Sequence, residues 1–319
     1  MKIAACIAAA LVALSLPAQA QTYPAREIHV IVGLPAGSGG DVVTRYYADK
    51  LSRLAGKPAI VENRPGMILS LGADAVAKAP PDGYTILITS VTSSHAANMF
   101  MFKKLPYDPI KDFTPVAMLQ KSYFMLMVLG TGPYNTVAEL TEAMKKKGDK
   151  ASYAYGSPPA LASAEFYKSR AGLKAVGIPY KTSVGSLSEM FSGEIDFQFI
   201  DSTVGTPLRE GGKLRALAVT SGQRVPGVDI PTMAEAANIP EFDIAPVWGV
   251  LLPAGAPPEI VSKLEGWFAE ISKMDDTRKF VANTHAALFP GGAKDLAAFI
   301  PKEIEKWRGL AEIAKIQPQ

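Results

Sequence analysis

The chain has 319 residues, with 33 Lys or Arg against 30 Asp or Glu, a net charge of +3. That near balance excludes the concentrated basic face that nucleic-acid binding needs, and 48% hydrophobic with 20% charged residues excludes a disordered or collagen-like chain. One cysteine cannot form an internal disulfide, and three histidines leave little for a metal site.

Residues 1–20 read as an export signal: Lys2 gives a positive start, 3–16 form an apolar run, and Ala18, Gln19 and Ala20 fit a cleavage site. Cleavage after Ala20 leaves 299 residues and takes Cys6 with it, which suits an oxidising compartment. The apolar run is short for a membrane span, which needs about 20 residues.

Strands and helices then alternate. The β-branched run 28–32 predicts a buried parallel strand, followed by a Gly-rich loop over 33–40. Asp41 reads as the N-cap of a helix whose apolar face carries Val42, Val43, Tyr46, Leu51 and Leu54. Next come a strand at 59–61, a helix at 71–78, a turn at 80–83 and a strand at 84–88. Further strands are predicted at 113–119 and 124–129. A second round follows, with helices at 137–147, 160–170 and 184–191. Its strands fall at 152–155, 175–179, 195–200 and 214–220. The Pro- and Gly-containing stretch 226–246 reads as a crossing between lobes, and 247–252 returns to strand. Helices at 257–274, 277–283 and 295–314 close the chain. The pattern is α/β with largely parallel sheets in two lobes, and ligands of such sheets gather at the carboxyl ends of the strands.

Few residues offer chemistry. Ala36, Gly37, Ser38, Gly39, Gly40 and Asp41 stand where a loop feeds a helix N-terminus, a place that suits a carboxylate. The spacing fits neither a Walker loop nor a dinucleotide fingerprint. Asp41 either caps the helix or contacts ligand. Thr89, Ser90 and Ser93 follow the third strand and either bind a carboxylate through their hydroxyls or cap the next helix. Trp248 either packs at the lobe junction or stacks on a ligand. Ser38 has a passing likeness to a nucleophile elbow, but His29, His95 and His285 do not form a recognisable triad order with it. The histidines are isolated, so no metal site and no cofactor are expected.

Taken in order, several motifs resemble the Bug family, the substrate-binding proteins of tripartite tricarboxylate transporters. They are Pro35-x-Gly37-x-x-x-Asp41, Glu62 to Gly66, Ala75 to Thr85, Lys104 to Pro109, Pro179 to Lys181, Gly212 to Ser221, Ile230 to Glu235 and Leu252 to Gly255. The resemblance implies a type II-like periplasmic binding fold, two α/β lobes joined by two crossing strands around an interlobe ligand cleft. Lobe 1 would hold 21–122 plus 246–319, and lobe 2 would hold 123–245. It implies a monomeric periplasmic protein, not an enzyme, that captures a small carboxylate for inner-membrane permease subunits. A sensor lacking its own permease, or a secreted serine hydrolase, is the alternative. The family loop of lobe 2 falls on Ser157, Ala160, Leu161 and Ala162, and a family acidic position falls near Asp201.

The sequence departs from the family pattern at three places. Gly39 and Gly40 replace a common Ser-Thr pair, Met67 to Ser70 replace Ala-Gly-Gly-Asn, and Pro158 and Pro159 cannot donate N–H groups. These changes predict one carboxylate at the first-lobe loop and an apolar or aromatic ligand body towards Met67 and Leu161.

Overall fold

Short β-branched runs and amphipathic helices assemble into two separate sheets. The computed structural model describes residues 23–225, 227–284 and 286–318. The expected export signal and His285 therefore lie outside the described residues.

The first sheet contains β1 (Ile28–Val32), β2 (Ala59–Asn63), β3 (Thr85–Ser90), β4 (Phe113–Lys121), β10 (Val247–Pro253) and β11 (Ala287–Gly291). Its order is β11-β4-β10-β3-β1-β2. Strands β1, β2 and β3 are parallel, with Val30 opposite Val61 and Ile86. Antiparallel β10 fills the gap between β3 and β4. The second sheet, in the order β7-β6-β8-β5-β9, contains β5 (Phe124–Leu129), β6 (Ser152–Tyr155), β7 (Val176–Pro179), β8 (Phe197–Asp201) and β9 (Leu214–Val219). Only β6, β7 and β8 are parallel there, so this sheet is more mixed than the strand pattern predicts.

The helices are α1 (Gly39–Ala55), α2 (Ser70–Ala77), α3 (Asn98–Met101), α4 (Val137–Lys147), α5 (Pro158–Ala171), α6 (Leu187–Ser192), α7 (Ser202–Glu210), α8 (Met233–Ala236), α9 (Pro258–Lys273), α10 (Asp275–Asn283) and α11 (Ala293–Ile313). A π-helix (Thr92–Ala97) follows β3 and carries Ser93 and Ser94. Helix α4 begins with a reciprocal cap: Thr136 accepts from the Glu139 N–H, and Glu139 accepts from the Thr136 N–H.

Strand β11 was not expected. Its half-exposed residues and its proline hide the alternation that marks a strand. The stretch 226–246 is also corrected. Val225, Val228 and Ile230 pack with second-sheet residues, and Val219 bridges to Thr232, so most of that stretch stays with the second sheet. The crossing itself is short. Ser122 donates its N–H to Pro246 O at 2.9 Å, and the Val247 N–H donates to Thr92 Oγ1 at 3.1 Å. The chain thus passes between the sheets at 122–123 and again near 245–247.

One core runs through both units. Ile31 and Leu87 of the first sheet join Leu126, Phe197 and Phe199 of the second, with fully buried Trp307 of α11. Burying each such side chain contributes about 1.5–3 kcal/mol.

Candidate functional site

The loop after β1 is shaped by close backbone approach. A Cβ at Gly33 would lie 2.6 Å from Leu69 O and 2.7 Å from Leu69 Cα, so only glycine fits. Facing it, Met67, Ile68 and Leu69 all take positive φ, at 42°, 48° and 72°. That costly run is held by Asn98, whose Nδ2 donates to Ile68 O at 2.6 Å and Ser70 Oγ at 2.9 Å.

Helix α1 starts at Gly39, and its cap is Ser38, not Asp41 as expected. Ser38 Oγ accepts from the Asp41 N–H at 3.3 Å and donates to Pro35 O at 2.7 Å. The apolar pattern begins only at Val42, so the two leading glycines hid the true first turn. Asp41 neither caps the helix nor stands open. It is 3% exposed, and its carboxylate accepts from Gly37 N at 2.9 Å, Arg45 Nε at 2.9 Å and Asn63 Nδ2 at 2.8 Å. Burial raises its pKa, but these bonds outweigh burial and hold it below the usual carboxylate range. Arg45 also donates to Asn63 Oδ1, so its guanidinium is spent on the loop frame. Gly37, at φ +80°, and Ala36 are exposed at the tip. Among the described residues, the N–H groups of Gly39 and Gly40 have no hydrogen-bond partner.

The second sheet closes over this helix start. A Cβ at Gly39 would sit 3.1 Å from Asp201 Oδ1 and 3.2 Å from Thr203 Cβ. A Cβ at Gly40 would collide with Leu34 and the Trp248 ring. Asp201 caps α7, its Oδ1 accepting from the Thr203 N–H at 2.9 Å. Burial pushes its pKa up against that bond. Trp248 is 4% exposed and donates from Nε1 to Ser122 Oγ at 3.1 Å, so it packs at the crossing. Tyr123 is 2% exposed, and its hydroxyl has no hydrogen-bond partner among the described residues. Burial first, then the Asp201 charge, push that hydroxyl's pKa up. Thr203 and Tyr123 were not singled out from sequence. The only signal was their place beside Asp201 and at the start of β5.

Two expected groups do not join. Thr89, Ser90 and Ser93 are buried and bond among themselves and with Ser94: Thr89 Oγ1 to Ser94 Oγ at 3.2 Å, and Ser90 Oγ to Ser93 Oγ at 3.3 Å. They tie the end of β3 to the start of the π-helix. At α5, Ser157 Oγ accepts from the Ala160 N–H at 3.4 Å and Ser157 O from the Leu161 N–H at 3.0 Å. From Ala162 onward the N–H groups belong to the helix interior. With Pro158 and Pro159 at its start, α5 presents no free amide, which corrects the expected anion grip by Ala160, Leu161 and Ala162.

His29 pairs with Glu62 at 2.5 Å. His95 is fully buried, and burial pushes its pKa down to about 3. The hydrogen bonds of the Ser38 side chain run to Pro35 and Asp41, and no histidine is among them. Among the described residues, no acidic, His or Cys cluster could hold a metal ion, and no helix is long and apolar enough to cross a membrane.

Two α/β units, two short crossings and an amide-bearing helix start covered by the opposite unit define a solute-binding protein. The sequence profile of the tripartite tricarboxylate transporter family receptor matches residues 43–316, and the chain belongs to that family. A UPF0065 protein of Bordetella bronchiseptica is 32% identical over 98% of this chain and 93% of its own. Protein BugT of Bordetella pertussis is 30% identical over 93% and 92%. Among solved structures, R. palustris Rpa4515 with adipate superposes at a TM-score of 0.88, with 30% identity over 93% of this chain and 100% of that one. MatC from Rhodopseudomonas palustris with bound malate gives 0.82, with 27% identity over 90% and 99%. Family members are solute-binding proteins rather than enzymes, and the mixed α/β architecture with two sheets matches theirs.

Proposed function

We propose that this chain is a periplasmic receptor that captures a small carboxylate between its lobes and hands it to inner-membrane permease subunits. Residues 1–20 would direct export, and 21–122 with 246–319 would form one lobe and 123–245 the other. The observation that carries the reading is the pair of N–H groups at Gly39 and Gly40, unpaired among the described residues, with Gly39 covered by Asp201 and Thr203 of the opposite unit. Oriented amides at a helix N-terminus hold an anion without a basic pocket. Similar proteins solved with adipate and malate support a carboxylate ligand. Met67, 39% exposed, and partly buried Leu161 would be the apolar contacts for the rest of the ligand.

The test is titration calorimetry of the purified protein against aliphatic and aromatic mono- and dicarboxylates. Binding of at least one acid, returned chemically unchanged, is expected. Tight binding of small tricarboxylates alone would refute the apolar body, and conversion of the bound acid would refute the receptor reading.

A further inference from the structure

Within the carboxylate reading just given, we propose that Asp201 selects acids bearing a hydroxyl or ammonium donor on the carbon beside the carboxylate. The geometry points there from three sides. The free N–H groups of Gly39 and Gly40 open α1, and Asp201 Oδ1 would be 3.1 Å from a Cβ at Gly39. A ligand carboxylate on those amides therefore lies about one functional group away from a second carboxylate. An ionised Asp201 there repels the ligand carboxylate, and burial already disfavours its charge. A donor on the neighbouring ligand carbon turns that repulsion into a hydrogen bond.

Asp201 has the capacity to accept it. Oδ1 accepts from the Thr203 N–H, and among the described residues Asp201 accepts from no residue other than Thr203. The Tyr123 hydroxyl is buried without a partner within reach of the Asp201 charge, so a second polar group awaits a ligand atom there. Helix α5 points the same way. Pro158, Pro159 and the Ser157 cap leave the second unit no free amide at this helix, so that side favours donors over a second anion.

The test compares matched acids by calorimetry: 3-phenylpropionate, 3-phenyllactate and phenylalanine, then 4-methylpentanoate, 2-hydroxy-4-methylpentanoate and leucine. In each set the donor-bearing acids should bind roughly tenfold tighter or better, the worth of a charge-assisted hydrogen bond. Asp201→Asn should erase the ammonium advantage and, with the repelling charge gone, tighten binding of the plain acid. Tyr123→Phe, which keeps the ring packing, should reduce only the hydroxyl advantage. Equal affinities across each set in the native protein, or an unchanged preference in Asp201→Asn, would overturn the proposal. If no acid of any kind binds, the carboxylate reading itself falls, which is a different result.

Discussion

His95 makes the protein acid-sensitive to an extent that its surroundings set. The ring is 0% exposed, its Nδ1 lies 2.8 Å from Ser94 Oγ, its Nε2 has no partner, and Phe113 packs edge-on at 4.6 Å. Nothing there stabilises an imidazolium, so burial lowers the pKa to about 3 from the ordinary 6.5. A histidine depressed in the folded state binds its proton more readily when unfolded. The stability it permits is complete above pH 6.5 and falls as the pH drops towards the folded pKa. Each pH unit in that window costs about 1.4 kcal/mol, so lowering the pH from 7 to 5 removes about 2 kcal/mol through this one residue. His95→Phe retains a ring but cannot titrate. Urea unfolding followed by tryptophan fluorescence at pH 7, 6 and 5 should show the native protein losing about 2 kcal/mol more than the variant. The variant will start less stable by about 1–3 kcal/mol, from overpacking and the lost Ser94 bond, but that offset does not depend on pH. Parallel pH profiles for the two proteins would refute the reasoning.

Two further substitutions probe the first loop. Asp41→Asn should lower stability by about 1–3 kcal/mol in urea unfolding, since Arg45 loses a charged acceptor and Gly37 a strong one. The Asp41 pKa is depressed, so its contribution is present above the ordinary carboxylate value and lost as pH falls through the lower folded value. The variant should therefore show a weaker stability loss below about pH 4. Gly33→Ala places a methyl group 2.6 Å from Leu69 O, a backbone atom that cannot swing away. Its midpoint in a thermal melt should fall by well over about 5 °C, and a fall under about 2 °C would contradict the close approach of the two loops.

Much of the fold was legible because its strands are buried. Runs such as 28–32 and 124–129 carry so many β-branched or large apolar residues that their bounds match the strands found. Edge strand β11 lacks that signature. At the site, residue types were legible but not their partners. Ser38 and Asp41 are both good caps, and only the three-dimensional position of Arg45 and Asn63 assigns Asp41 to the loop frame. The hydroxyls of Thr89 to Ser94 read as available because burial leaves no mark on single residues. The meeting of Gly39 with Asp201 joins distant parts of the chain, and no local pattern encodes it.

The place of β10 also sets an order for assembly. It lies between β3 and β4, yet in the chain it follows all five strands of the second sheet. Until 247–253 are available, β3 and β4 have no strand between them and the β3 edge away from β1 stays unpaired. The second sheet, continuous in sequence, can complete itself first. A nascent chain would thus keep its amino-terminal third unfinished until nearly four-fifths of its length is free to fold. That delay leaves the early segments accessible to whatever machinery handles unfolded chains.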